Sequence, residues 1–129
     1  MLIDSNIVAY FFRGDSRAKA YERHLAGQTR YISFVTLGEL YRWLFLRPFS
    51  EPNKQRLLDY IDRHVVVPYD ERLVWTWAEL TAKCRQTGQV MSAEDSWIAA
   101  TALRHAMPLV THNRKHFENI PGLTVISES

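Results

Sequence analysis

The chain has 129 residues, a hydrophobic fraction of 47% and a formal net charge of +2 at pH 7, which permits a polyanionic partner without requiring one. A chain of this length fits one hydrophobic core, so we expect a single domain over residues 1–129. One cysteine, Cys84, excludes an intrachain disulfide. With neither signal-peptide features nor an apolar membrane span, the expected location is the cytoplasm.

The first twelve residues predict a buried strand that leads directly into a helix. Leu2 and Ile3 are apolar, Asp4, Ser5 and Asn6 are helix N-cap types, and apolar residues then recur with helical spacing. Ligands of parallel α/β sheets bind at the carboxyl ends of the strands, where Asp4 falls. Asp4 is therefore either a helix cap or the first residue of a site.

The middle of the chain predicts helices that alternate with short strands. The helices are expected over 17–26, 34–46, 53–63 and from Asp70 to Gly88, and the strands over 30–33 and 65–67. Thr36 and Glu39 have the spacing of a capping box. Pro48 and Pro52 are expected to bracket a loop.

The last third of the chain predicts a helix that begins at Ser92, with strands over 109–110 and 123–126 after it. Short strands separated by helices are typical of an α/β fold. We therefore expect three layers, α/β/α, around a central and mainly parallel sheet.

Besides Asp4, polar side chains lie at three later helix starts, at Glu39, Asp95 and Asn113. Each also has a structural interpretation, because both acids lie three residues after a hydroxyl residue and Asn113 could cap a short helix. Asp95, however, has apolar neighbours, and a carboxylate there is costly unless it is paired or binds a metal. No basic side chain is expected to pair with these acids at the carboxyl edge of the sheet. Carboxylates in such a position predict a site with oxygen ligands for Mg²⁺ or Mn²⁺.

Four segments in this order, LIDSNIVAYFF, SFVTLGEL, EDSWIAATAL and LVTHNRKHF, resemble the PIN-domain ribonucleases, and more closely the toxins of VapBC toxin–antitoxin pairs. The resemblance implies a PIN-like fold and a metal-dependent endoribonuclease that hydrolyses structured RNA, either tRNA or ribosomal RNA. It implies Asp4, Glu39 and Asp95 as catalytic metal ligands for Mg²⁺ or Mn²⁺. Many relatives carry a fourth acid where this chain has Asn113, whose amide oxygen could be a ligand without adding charge.

Further residues are assigned supporting roles at this expected site. Ser5 and Thr111 could orient ligands or water through their hydroxyl groups. The side chains that could hold the RNA backbone are Arg42, His112, Arg114, Lys115 and His116. The residues over 112–116 could equally form a solvated helix face, with His112 and His116 as a pair that faces phosphate or solvent.

The resemblance also implies partners. Such toxins form homodimers and are silenced by a VapB-like antitoxin, which would connect this chain to DNA only indirectly. Tyr41, Arg42 and Trp43 could form the wall of the groove that holds the antitoxin tail, and Trp43 could alternatively stack on RNA bases.

Two other classes of protein share parts of this pattern. A catalytically inactive PIN-like binding module would have the same fold, but it would have no need to keep all three acids. A phosphoacceptor signalling domain would use Asp4, Thr111 and Lys115, but it would place its acids on strands. The expected positions of Glu39 and Asp95 in helix starts disfavour the signalling domain.

Overall fold

Five short strands form one parallel sheet in the computed structural model, which describes residues 1–129. The strands are β1 (Leu2–Ile3), β2 (Tyr31–Ser33), β3 (Val65–Val67), β4 (Leu109–Val110) and β5 (Val125–Ile126). They lie in the order β3-β2-β1-β4-β5, and all four neighbouring pairs are parallel. The predicted parallel sheet is confirmed, and β1 is its central strand.

Seven α-helices connect these strands, and a short 3-10 turn, Ser16–Ala18, precedes the second of them. The helices are α1 (Ser5–Arg13), α2 (Lys19–Leu25), α3 (Phe34–Leu46), α4 (Glu51–Ile61), α5 (Glu71–Thr87), α6 (Ala93–Arg104) and α7 (Arg114–Phe117). None of them combines the length and the apolar composition that crossing a membrane requires.

The alternation of side chains along the strands divides the core into two clusters, one on each face of the sheet. Leu2 and Leu109 contribute to a cluster completed by α5, α6 and α7. Ile3 and Val110, their neighbours in the chain, contribute to a cluster completed by α1, α2, α3 and α4. The predicted α/β/α layers are therefore confirmed.

The start of α3 differs from the prediction in a way that matters for the site. Its N-cap is Ser33, whose Oγ accepts a 3.0 Å hydrogen bond from the N–H of Thr36. The predicted capping box of Thr36 and Glu39 is therefore wrong. Glu39 lies in the second turn of α3, where its carboxylate has no capping role.

Two other helix boundaries also differ from the prediction. α4 begins at Glu51, with Ser50 as N-cap and Pro52 in the first turn, so Pro52 belongs to a helix and not to a loop. A proline fits there because the first N–H groups of a helix have no partner within the helix. The helix expected over 17–26 is replaced by the 3-10 turn and α2, because Asp15 caps that turn through the N–H of Arg17.

Candidate active site

Asp4 lies at the carboxyl end of the central strand and is only 4% exposed. Its Oδ1 accepts the N–H of Ser5 at 2.8 Å and caps α1, while its Oδ2 accepts a 2.7 Å hydrogen bond from Oγ1 of Thr111. Burial raises the pKa of the Asp4 carboxyl, and these two hydrogen bonds oppose that rise. Asp4 therefore caps the helix and is also a buried carboxylate at the sheet edge.

Glu39 reaches the same edge from α3. Its Oε2 accepts a 3.0 Å hydrogen bond from Oγ of Ser5, and its Oε1 is buried without any hydrogen-bond partner. Burial raises the pKa of the Glu39 carboxyl, and the negative charge of Asp4 raises it further. A buried oxygen that lacks a partner is costly, so this atom is available to accept a contact from a cation.

Asp95 lies in the first turn of α6, three residues after Ser92, where the sequence predicts the start of this helix. Its N–H donates to Oγ of Ser92 at 3.1 Å, which confirms Ser92 as the N-cap. The carboxylate makes no reciprocal bond to Ser92, and its Oδ2 lies 2.9 Å from Nδ1 of His116 on α7. With 20% of its side chain exposed, Asp95 stands at the mouth of the site.

The three carboxylates line one cavity of about 500 Å³. The negative charge of Asp95 raises the pKa of Asp4, which is the electrostatic sign of acids that face one another. As the side chains stand, no three acidic, histidine or cysteine groups converge closely enough to enclose a metal ion. Each acid is instead oriented by a neighbour, Thr111 for Asp4, Ser5 for Glu39 and His116 for Asp95.

The chemistry of these side chains fits a hard divalent cation. Every acidic ligand candidate offers oxygen, which is what Mg²⁺ and Mn²⁺ prefer. No lysine or arginine forms an ion pair with the three acids, and His116 is the only ion-pair partner among them. A cation would provide the partner that Oε1 of Glu39 lacks and would offset the repulsion between the carboxylates.

Comparison with known proteins decides the family, because the model of the PIN domain matches residues 1–123. The chain belongs to the PIN domain family. Ribonuclease VapC2 of Rickettsia felis is 27% identical over 124 residues, which are 95% of this chain and 92% of the relative. Ribonuclease VapC4 of Mycobacterium tuberculosis is 33% identical over 104 residues, which are 79% of each chain.

A solved structure shares the same PIN-domain fold over nearly the whole chain. It is the crystal structure of VapBC2 from Rickettsia felis bound to a DNA fragment from their promoter, with a TM-score of 0.86 and 25% identity. The match covers 99% of this chain and 98% of that chain. The resemblance of the four sequence segments to PIN-domain proteins is therefore confirmed.

The expected RNA-binding residues divide into two groups in this PIN domain. Arg42 and His116 line the cavity of the acids, whereas the other three candidates do not. Nδ1 of His112 lies 2.6 Å from the hydroxyl of Tyr21, and Arg114 donates to the carbonyl of Ser127 at 3.1 Å. His112 and His116 thus contact different partners, so the expectation that they form a pair is wrong, while an RNA-binding role for either residue stays a prediction.

Lys115 is exposed outside the cavity, and Asn113 lies at its rim. Asn113 occupies the N-cap position of α7, yet its side chain makes no capping hydrogen bond. Its backbone N–H donates to Oγ1 of Thr111 at 3.1 Å, and the residue lines the cavity of the acids. The capping interpretation of Asn113 is therefore wrong, and a ligand role stays a prediction.

Sequence reasoning missed three residues that the tertiary structure brings to the PIN-domain site. Nδ2 of Asn6 lies 3.4 Å from Oδ2 of Asp4, and Arg13 and Arg47 line the cavity beside Trp43. Asn6 directly follows Asp4 and Ser5 in the sequence, so its position beside two predicted site residues could have indicated it. The two arginines lie at helix ends, where no periodic pattern marks them.

Proposed function

We propose that this chain is a metal-dependent endoribonuclease and the toxin of a VapBC-type toxin–antitoxin pair. The observation that carries the proposal is the buried, unpartnered Oε1 of Glu39 in the same cavity as Asp4 and Asp95. Membership of the PIN domain family and similarity to proteins named ribonuclease VapC support the reaction class. The proposed cofactor is Mg²⁺ or Mn²⁺, and the proposed substrate is a structured RNA, either tRNA or ribosomal RNA.

Asp4, Glu39 and Asp95 are the residues that would hold the cation, with Asn113 as a neutral fourth ligand. When bound, the cation supplies activation of water and neutralises the phosphate at the cleaved bond. Thr111 and Ser5 donate to Asp4 and Glu39, which keeps these carboxylates oriented and favours their ionised forms against burial. His116 stands at the mouth beside Asp95, where its imidazole can donate to a phosphate oxygen.

The proposed partners are a VapB-like antitoxin and a second copy of this chain. The similar VapBC2 structure is described as bound to promoter DNA, which supports an antitoxin that connects the toxin to DNA. Trp75 is 74% exposed and Val90 is 95% exposed, and large apolar groups in solvent favour a protein interface.

The test is cleavage of purified cellular RNA by the wild-type chain in Mg²⁺, with mapping of the cleaved ends. We expect defined cleavage sites that disappear in EDTA and in Asp95→Asn. Asp62→Asn is the matched control, since Asp62 is exposed and forms no ion pair. Undiminished cleavage in EDTA or in Asp95→Asn would rule out the proposed metal site.

The two alternative classes fit the geometry less well. An inactive binding module gains nothing from a buried carboxylate oxygen without a partner, which only lowers its stability. A phosphoacceptor domain needs Lys115 beside Asp4, but Lys115 does not line the cavity of the acids. Absence of RNA cleavage together with an intact fold would favour the binding module.

A further inference from the structure

A second cavity of about 230 Å³ adjoins the acidic one. Its lining residues are Phe12, Arg13, Trp43, Arg47, Pro48, Phe49 and Arg56. Arg13, Trp43 and Arg47 also line the cavity of the acids, so the two form one continuous groove. We call the part outside the acids, with Arg42 at its inner end, the arginine groove.

The arginine groove is strongly cationic. Arg13, Arg42, Arg47 and Arg56 are all exposed, and none of them forms an ion pair within the chain. Four guanidinium groups without an ion-pair partner attract anions. They lie next to the cavity that Asp4, Glu39 and Asp95 line. The groove therefore favours a ligand that carries several negative charges in a row.

Aromatic rings support three of these four guanidinium groups, those of Arg13, Arg47 and Arg56. The guanidinium carbons of Arg13 and Arg47 lie 5.4 Å and 5.6 Å from the ring centroid of Trp43. Arg56 lies 4.3 Å from the centroid of Phe12 in the same way. A guanidinium held over a ring keeps its N–H donors available at its edge, where they match two oxygens of one phosphate.

We propose that Arg13 and Arg47, oriented by Trp43, bind backbone phosphates in a single-stranded segment of the structured RNA, next to the phosphate that is cleaved. The proposal rests on the proposed nuclease function. An RNA strand carries one negative charge per nucleotide, which matches several arginines that line a groove beside the proposed cation-binding centre. Arg56, held over Phe12, adds a further guanidinium group in the outer cavity. Trp43 is a positioning residue that acts through both arginines.

The experiment measures binding of a fluorescein-labelled single-stranded oligoribonucleotide by anisotropy over a series of KCl concentrations. The Asp95→Asn chain is used throughout because it leaves the RNA intact. In a plot of the logarithm of the association constant against the logarithm of the salt concentration, each neutralised phosphate of a single strand contributes about −0.7 to the slope. Arg13→Ala and Arg47→Ala should each make this slope less steep by about 0.7 and weaken binding about tenfold at low salt.

Trp43 is tested by two substitutions that differ in whether they keep an aromatic ring. Trp43→Ala should lose both arginine contributions, so its slope should become less steep by about 1.4, twice the value for one phosphate. Trp43→Phe should keep most of the affinity and of the slope, because its ring still supports the guanidinium groups. Arg72→Ala is the matched control, since Arg72 is an exposed arginine without an ion pair on α5, outside the groove.

Unchanged slopes in Arg13→Ala and Arg47→Ala would overturn the proposal, and these exposed positions decide it even if Trp43→Ala does not fold. If the same variants lose the antitoxin encoded by a neighbouring reading frame and keep RNA, the groove belongs to the protein partner and the proposal is also wrong. In either case, cleavage of RNA by the wild-type chain would still support the proposed nuclease function, although the proposal for the groove fails. A wild-type chain that neither binds nor cleaves RNA would instead remove the proposed function itself.

Discussion

The hydroxyl of Thr111 donates a 2.7 Å hydrogen bond to Oδ2 of Asp4, and both residues are almost fully buried. This bond lowers the pKa of Asp4 and so opposes the effect of burial, which raises it. The two residues follow the neighbouring parallel strands β1 and β4, whose pairing brings the hydroxyl to the carboxylate. Thr111 thereby favours the ionised form of Asp4 that a cation needs.

Thr111→Val should move the acid limb of the kcat/KM profile to higher pH. Without the donor, the raised pKa of Asp4 rises further, so a smaller fraction of Asp4 is ionised at any given acidic pH. Thr111→Ser keeps the hydroxyl and should keep the wild-type limb. The measurement is the pH–rate profile of RNA cleavage for the three chains, and coincident acid limbs would show that Thr111 has no influence on Asp4.

Asp4→Asn, Glu39→Gln and Asp95→Asn should each reduce cleavage by at least about a hundredfold, because each removes one charged ligand of the proposed cation. All three should remain folded, since amides have nearly the same shape as the carboxylates they replace. Cleavage rates are measured beside thermal unfolding curves. Asp62→Asn should leave both unchanged, and a large loss in this control would indicate a general effect of charge.

The raised pKa of Glu39 predicts that the metal-free chain loses stability as the pH rises. Between the usual value of 4.5 and the higher value in the folded chain, the folded state holds more protons than the unfolded state. Stability therefore falls with increasing pH in that window and stays lower above it. In EDTA, Glu39→Gln should have a Tm a few degrees above the wild type at neutral pH, and this difference should vanish below pH 4.5.

Mg²⁺ should reverse the order of the two Tm values, so that the wild type becomes more stable than Glu39→Gln. A cation bound by the acids stabilises the folded wild type by mass action, and the Gln variant lacks one of its ligands. Addition of Mg²⁺ at neutral pH should therefore raise the Tm of the wild type more than that of Glu39→Gln. An equal rise for both chains would place the bound cation away from Glu39.

Asn113 should contribute less to metal binding than the acids do. Asn113→Ala should keep measurable activity that Asp95→Ala lacks, because a neutral amide contributes less to a hard cation than a carboxylate. Asn113→Asp adds a charge to the cluster and should lower the metal concentration needed for half-maximal cleavage. Metal titrations of the three variants and the wild type provide the measurement, and an unshifted curve for Asn113→Asp would remove Asn113 from the site.

The sequence by itself determined the order of the helices and strands and which element carries each acid. Asp4 could be placed at a strand–helix junction because apolar periodicity and N-cap chemistry act within a few residues. Helices were predicted to start at Asp70 and Ser92 for the same reason, and both residues are N-caps whose side chains accept a backbone N–H. The boundaries that were wrong, at Pro52 and over 17–26, depend on which of several adjacent capping residues is used.

Only the tertiary structure decided which side chains meet. His116 reaches Asp95 while His112 turns to Tyr21, although both belong to one short segment. Arg13 and Arg47 come from different helix ends and meet on Trp43. Local patterns cannot encode such contacts, because they depend on how α1, α3 and α6 pack around the edge of the sheet. The same packing buries Oε1 of Glu39 without a partner, the atom on which the proposed metal site rests.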